Sequence, residues 1–138
     1  MTYKNTQKIK EHLEFFGYTI TDDSKEGESF DALTCRHPSY YTLRIYANDS
    51  YGDISAIVSG FNLAVKKKQE FLMALNEANY KANFTKWSSP KESMEKGLLV
   101  ADTYFIGYDR QNFGFILEKF RNELDKYLQD FFAFTDIK

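Results

Sequence analysis

The feature that most constrains this chain is a long apolar stripe in its C-terminal part. Large apolar residues recur there at steps of four, three, four, three and four: Phe113, Leu117, Phe120, Leu124, Tyr127 and Phe131. This spacing predicts an amphipathic helix with one broad apolar face of about five turns. A core helix packed on a sheet would bury the face, and a subunit interface is the alternative use for part of it.

Alternation of apolar and polar residues predicts three strands in the first half of the chain, at 30–36, 40–47 and 53–59. The connections "HPS" and "NDSYGD" between them are rich in turn-forming residues. Short connections between consecutive strands favour an antiparallel meander. Two later segments, 81–89 and 98–107, predict a fourth and a fifth strand.

Two further segments have the period of a helix. In the first, Ile9, Leu13 and Phe16 form an apolar stripe, and Gly17 follows where a helix often ends in a left-handed residue. The second helix follows the third strand, with Asn62 as its predicted N-cap.

The predicted order is therefore α-β-β-β-α-β-β-α, an α+β fold with an antiparallel five-stranded sheet. The segment "YTIT" at 18–21 could add a short extended piece to it. No linker, internal repeat or low-complexity segment interrupts residues 1–138, which predicts a single domain.

Composition argues against several classes of protein. With 43% hydrophobic and 28% charged residues, the chain lies in the globular range. The formal net charge is −2 and the only basic run is "KKK" at 66–68, which argues against a nucleic-acid partner. No segment approaches the roughly 20 apolar residues that span a membrane. Cys35 is the only cysteine, so no internal disulfide forms, and we expect a cytoplasmic protein.

Motifs for catalysis or cofactor binding are absent from the sequence. His12, His37 and Cys35 lack a third soft ligand for a metal ion. A calcium loop starting at Asp22 fails because its last ligand position is Leu33, where a bidentate glutamate is required. No Walker, G-x-G-x-x-G or G-x-S-x-G pattern is present. We therefore predict no metal, no cofactor and no enzymatic activity.

Asp102 is the carboxylate whose predicted surroundings are most unusual. Strand parity places it on one mostly apolar face, with Leu98, Val100, Tyr104 and Ile106. An ionised group is costly on such a face unless it has a partner. We expect Asp102 to lie near a strand end or to pair with a cation such as Arg44. A catalytic acid with a raised pKa is the alternative.

Aromatic residues make up 17% of the chain, enough for a large core and for exposed rings that favour contact with other proteins. A compositional bias of the genome is the alternative explanation. Rings on a sheet could also stack nucleic-acid bases, but no basic stripe accompanies them. The predicted protein-binding residues are Tyr40, Tyr46, Trp87, Phe131, Phe132 and Phe134.

Three asparagines fall close together where the period changes from helix to strand, in "LNEANYKANFTKW" at 75–87. Asparagine is a poor residue for a helix interior, but its amide can satisfy backbone groups at a helix-to-strand switch. We therefore predict that Leu75, Asn76 and Asn79 belong to a structural hinge rather than to an active site.

The segment "FLMALNEANYKANF" at 71–84 is a helix carrying L-N-x-x-N that leads into a strand. It resembles the corresponding segment of the YbjN-like bacterial proteins, which in turn resemble type III secretion chaperones of the Tir-chaperone kind. Leu75, Asn76 and Asn79 match the family pattern, and Gly97 with Leu98 and Leu99 resembles its turn into the fifth strand. The element order predicted above is also the order of both groups.

The resemblance implies an α+β domain, often dimeric, that binds another polypeptide rather than turning over a substrate. We therefore predict a non-catalytic protein-binding module of the secretion-chaperone-like type, with an effector, toxin or regulatory protein as its partner and a homodimer as a possible assembly. An immunity protein that neutralises a cognate bacterial toxin is the alternative.

Overall fold

The computed structural model describes residues 1–58, 68–89 and 99–132. Within these residues the structure contains three helices and six strands. In chain order they are α1 (Lys4–Phe15), β1 (Thr19–Asp22), β2 (Asp31–Arg36), β3 (Leu43–Ala47), β4 (Tyr51–Val58), α2 (Lys68–Lys81), β5 (Lys86–Ser88), β6 (Leu99–Ile106) and α3 (Arg110–Phe132). The predicted cap at Asn62, residues 66 and 67 of the lysine run, Gly97 and Leu98 of the predicted turn, and Phe134 lie outside the described residues.

The strands form one sheet in the order β1-β2-β3-β4-β6-β5. Neighbours pair antiparallel from β1 to β4, and β5 pairs antiparallel with β6. The α+β class and the antiparallel sheet are confirmed, but the prediction of five strands is wrong because the described sheet has six. The additional strand is β1, in which Ile20 lies opposite Cys35 of β2.

Helix α1 ends as the sequence predicts, with a left-handed residue at Gly17. Gly17 has a φ of 93°, the left-handed conformation that glycine adopts without strain. The N–H groups of Gly17 and Tyr18 donate to the carbonyl oxygens of Glu14 and Leu13, each at 3.1 Å. These bonds satisfy carbonyl groups that the last turn of a helix leaves without partners.

The chain divides into two compact units, and the first comprises residues 1–56 and 103–117. Its strands and helices bury mostly apolar side chains: Ile9, Leu13, Leu33, Cys35, Leu43, Ile45, Ile54, Phe105, Phe113 and Leu117. Gly52 leaves room for the Phe105 ring, which a Cβ at position 52 would overlap. Phe105 in turn meets Phe113 edge-on, with ring centroids 5.4 Å apart.

Asp31 ties the N-terminus into the first unit. Burial alone would raise its pKa, but the backbone N–H groups of Tyr3 and Thr2 donate to its carboxylate, and the net effect holds the pKa below its usual value. The ionised carboxylate therefore stabilises the fold above the unfolded-state pKa of about 3.9, and this contribution is lost as the pH falls through the lowered pKa.

The second unit comprises residues 57–102 and 118–138. Its described core joins one face of α2 and of α3 to the short strand β5 and the start of β6. The buried apolar side chains are Phe71, Ala78, Trp87, Leu99, Ala101, Phe120, Leu124, Tyr127, Leu128 and Phe131. Much of the α3 stripe is therefore core, as the helical spacing predicts. Over the described ranges, no helix has the length and apolar character needed to span a membrane.

Candidate protein-binding site

The structure separates the predicted contact residues into buried and exposed ones. Trp87 and Phe131 are only 2% and 1% exposed, so neither is one of the exposed rings that favour contact with other proteins. Tyr40 is 44% exposed, and Tyr46 is half-buried on β3. Phe132 is the last residue of α3.

Trp87 belongs to an aromatic group in the second unit, which we call the Trp87 cluster: Phe71, Trp87, Tyr127 and Phe131. The Trp87 and Phe131 rings are stacked with centroids 5.3 Å apart, and Phe71 meets Phe131 at the same centroid distance. Tyr127 meets Trp87 edge-on at 6.2 Å. Offset and edge-on contacts of this kind stabilise a core beyond the area that they bury.

Asn79 satisfies the backbone of Trp87. The Trp87 N–H donates to Asn79 Oδ1 at 2.6 Å, and Asn79 Nδ2 donates to the Trp87 carbonyl at 2.8 Å. Because β5 stands at one end of the strand order, no other described strand lies beyond it to pair with these backbone groups. The carboxamide of Asn79 takes the place of that missing peptide group.

Glu123, on α3, organises the turn between α2 and β5. Its carboxylate accepts hydrogen bonds from the N–H groups of Asn83 and Phe84 and from the Thr85 hydroxyl, at 2.7–3.0 Å. Thr85 Oγ1 in turn accepts the indole N–H of Trp87 at 2.8 Å. Every polar group of Trp87 is therefore paired, which favours a structural role for this ring.

The two other predicted hinge residues make no comparable bridge in the described structure. Leu75 is half-buried and Asn76 is exposed on α2. Among the three asparagines, Asn79 thus holds strand β5, Asn83 contributes a backbone N–H to Glu123, and Asn76 faces solvent.

A different aromatic group lies at the surface of the first unit, around an open cleft of about 390 Å³. Phe15 and Phe16 are 76% and 52% exposed, although both are large apolar side chains. Their rings meet edge-on with centroids 5.3 Å apart. We call this surface the aromatic cleft, and its lining residues are Lys8, Glu11, His12, Phe15, Phe16, Tyr108 and Arg110.

The floor of the aromatic cleft is held by a polar contact between residues far apart in the chain. His12 Nδ1 and Tyr108 Oη are 2.9 Å apart. Burial raises the pKa of Tyr108, and the charges of Asp109 and Glu11 add to this while Arg110 opposes it. The phenol is therefore protonated at neutral pH and can donate to His12. Rings of Phe16 and Phe113 flank the imidazole at 5.3 Å and 5.1 Å.

The sequence places Phe16 on the apolar stripe of α1 with Ile9 and Leu13, but the structure leaves about half of this side chain exposed. Ile9 and Leu13 are fully buried, but Phe16 follows the last residue of α1 and is half exposed. The available signal was the pair Phe15–Phe16 itself, because adjacent residues on a helix point about 100° apart and a narrow apolar stripe does not hold both.

Asp102 lies on the more exposed face of β6, where Tyr104 and Ile106 are 64% and 91% exposed. The mostly apolar face that strand parity assigns to Asp102 is therefore not the core face of β6, whose buried residues are Leu99, Ala101 and Phe105. Burial nonetheless raises the pKa of Asp102, and Lys86, directly opposite on β5, opposes the rise.

Arg44, which the sequence suggests as a partner for Asp102, forms an ion pair with Asp23 at 3.8 Å and lies over the Tyr46 ring at 5.5 Å. Within residues 1–58, 68–89 and 99–132, no three His, Cys, Asp or Glu side chains are grouped so that they could hold a metal ion.

Two solved structures share the fold of this chain. The crystal structure of an uncharacterized protein from Methanothermobacter thermautotrophicus matches with a TM-score of 0.72 at 11% identity, over 94% of this chain and 99% of that chain. The crystal structure of YbjN from E. coli, a proposed transcription regulator, matches with a TM-score of 0.66 at 12% identity, over 93% and 90%. No protein-family model matches the sequence, and no curated protein is similar to it in sequence. The predicted YbjN-like fold is thereby confirmed.

Proposed function

We propose that this chain, with its YbjN-like fold, is a non-catalytic module that binds a segment of another polypeptide in the aromatic cleft. The observation that carries the proposal is the exposure of Phe15 and Phe16, at 76% and 52%, on one small surface. Adjacent exposed aromatic rings are typical of contact surfaces, where each ring buries a large area against the partner. Aromatic residues are also enriched among those that dominate binding energy.

The chemistry of the titratable groups supports binding rather than catalysis. Burial, with a smaller contribution from Asp23, raises the pKa of the Cys35 thiol to about 12, so it is not a nucleophile at neutral pH. The Tyr108 phenol is also held in its protonated form. In the aromatic cleft, His12 thus has a hydrogen-bonding partner but no activated nucleophile beside it among the described residues.

The experiment that tests this proposal is a comparison of three tagged proteins, each captured at native expression levels. They are the wild type, a cleft variant with Phe15→Ser and Phe16→Ser, and the control Tyr80→Ser. Tyr80 is 90% exposed on α2, in the second unit, so the control removes an exposed ring elsewhere.

A polypeptide retained by the wild type and the control but lost by the cleft variant is the expected result. A partner retained equally by all three would place the contact outside the aromatic cleft and overturn the proposal. The partner's identity then separates the candidate roles: an exported effector indicates a chaperone, and a toxin indicates an immunity protein. The predicted homodimer stays a prediction, and light scattering of the wild-type protein measures it.

A further inference from the structure

We infer that the segment bound in the aromatic cleft is acidic as well as apolar, with a carboxylate side chain next to an aromatic one. This inference rests on the proposed function and names the chemistry of its partner. It follows from the charges that surround the exposed rings.

Two cations line the aromatic cleft from different helices. Lys8 lies on α1 and Arg110 is the first residue of α3, and both side chains are exposed. In the part of the chain that the structure describes, neither of them forms an ion pair. Two cations against the carboxylate of Glu11 give the described lining an excess of one positive charge, although the chain as a whole carries a net charge of −2. This contrast favours an anionic ligand.

The carboxylates nearby, Glu11 and Asp109, keep their charges, but their hydrogen bonds are to neutral groups rather than to Lys8 or Arg110. Glu11, the only carboxylate among the described residues that line the cleft, accepts a hydrogen bond from Gln7 at 2.9 Å. Asp109 accepts the N–H of Asn112 at 2.9 Å and so caps the start of α3. Neither carboxylate is within ion-pair distance of Lys8 or Arg110, which leaves both cations available to a ligand.

Neither the two cations nor the two rings would be enough on their own to bind the segment. An exposed ion pair contributes little, because both groups are well solvated before they meet. Contact of a ligand's aromatic side chain with Phe15 and Phe16 excludes water from the cleft and so strengthens the neighbouring charge interactions. Arg110 can also bind a carboxylate through two parallel N–H groups.

The openness of the surface favours a polypeptide over a small molecule. Small-ligand sites usually enclose most of the ligand. Here the two rings are 76% and 52% exposed, and the cleft of about 390 Å³ is open to solvent. A chain segment can lie across such a surface with one side chain on the rings and the next on a cation.

The test is a titration of ¹⁵N-labelled protein, followed by NMR, with four defined ligands. They are acetyl-Gly-Phe-Asp-Asp-Phe-Gly-amide, the same peptide with Asn for Asp, the same peptide with Ala for Phe, and phenylacetate. We expect the Phe-Asp peptide to shift the signals of Phe15, Phe16 and Tyr108 and to bind about three- to tenfold more tightly than the Asn peptide, as one or two exposed ion pairs allow.

Charge variants make the assignment specific. Lys8→Gln and Arg110→Gln are expected to bring the ratio between the Asp and Asn peptides close to one, whereas Arg36→Gln, an exposed cation on β2, is expected to leave it unchanged. Added salt should reduce the ratio for the wild type. The ¹⁵N spectra of the variants show directly that each remains folded.

Several results would overturn the inference. Equal binding of the Asp and Asn peptides would remove the acidic character but leave the proposed function intact, since that is tested separately by capture. Binding of phenylacetate as tight as that of the Phe-Asp peptide would make the occupant a small molecule. If the variant with Phe15→Ser and Phe16→Ser has a lower mass in light scattering than the wild type, the occupant of the cleft would be a second copy of the chain. The absence of shifts with every ligand at millimolar concentration would also contradict it.

Discussion

The aromatic cleft and the Trp87 cluster draw on the same surplus of rings and use it in opposite ways. In the Trp87 cluster the rings stack on one another, and Trp87 is 2% exposed. Its indole N–H and both of its backbone groups have protein partners. In the aromatic cleft, Phe15 and Phe16 contact each other but are mostly exposed. They lie beside Lys8 and Arg110, which form no ion pair with any other described residue.

Two properties distinguish a core ring from a contact ring in an aromatic-rich chain. A core ring has its polar surroundings satisfied within the protein, because an unpaired buried polar group destabilises the fold. A contact ring retains apolar area and neighbouring charges that only a ligand can cover or pair. Substitution should therefore affect stability in the first region and binding in the second.

Phe131→Ala should have the largest effect on stability. The side chain is 1% exposed and contacts both Trp87 and Phe71, so its removal leaves a cavity in the second unit. We expect the free energy of unfolding to fall by about 3–5 kcal/mol. Urea unfolding followed by the fluorescence of Trp87, the only tryptophan, measures the change. A loss below about 1 kcal/mol would mean that Phe131 is not part of a packed core.

Asn79→Ala should have the second-largest effect on stability, and Asn76→Ala is its matched control. The first substitution leaves the N–H and carbonyl of Trp87 without their partner, at a cost of about 1–3 kcal/mol. The second removes an exposed asparagine from the same helix and should stabilise slightly, because alanine is the better helix former. Equal unfolding free energies for the two variants would show that the bridge to Trp87 contributes nothing.

Asp102→Asn should have a smaller effect that depends on pH. Because the folded-state pKa is raised, the folded protein holds this proton more tightly, and stability falls as the pH rises from about 4 through the raised pKa. Removing the charge should therefore stabilise at pH 7 by roughly 0.5 kcal/mol and less at pH 4.

Urea unfolding at both pH values checks the prediction for Asp102. The exposed Asp125 on α3 supplies the control Asp125→Asn, which should leave the free energy of unfolding within error at each pH. Lower stability of the Asp102 variant at pH 7 would indicate that the attraction to Lys86 outweighs the burial of the carboxylate.

Phe15→Ser should have the smallest effect on stability and a large one on binding. The side chain is 76% exposed, so we expect the free energy of unfolding to change by less than about 0.5 kcal/mol. Affinity for the Phe-Asp peptide should nonetheless fall, because one of the two exposed rings of the cleft is removed. Thermal unfolding and the NMR titration, measured on the same preparation, check both expectations. A marked loss of stability would move Phe15 into the class of core rings.

The elements with the strongest periodicity are the ones that the sequence predicts well. The α3 stripe is buried as its spacing requires, and Gly17 ends α1 in the predicted conformation. Strand β1 is harder to predict, because only Ile20 among its four residues is half-buried and no alternation is visible. Its pairing with β2 is a tertiary contact that local pattern does not encode.

The candidate site was less accessible to sequence reasoning, for a physical reason. His12 and Tyr108, which meet in the aromatic cleft, are 96 residues apart in the chain. No spacing rule brings them together, and the exposure of Phe15 and Phe16 depends on what else packs around the end of α1. The burial of Trp87 depends in the same way on residues elsewhere in the chain. Asn79 bonds its backbone, and its indole N–H donates to Thr85, whose hydroxyl donates in turn to the distant Glu123.

The division of the chain has a consequence for folding during synthesis. Each unit is assembled from two separate stretches of sequence, and the first is not complete until residue 117 has been made. The stretch 1–56 therefore leaves the ribosome without the residues that supply Phe105 and Phe113 to its core. At about 5–20 residues per second, the nascent chain waits several seconds with that apolar surface uncovered. Its yield in a cell should thus depend on the factors that shield nascent chains, even though the finished protein buries its core.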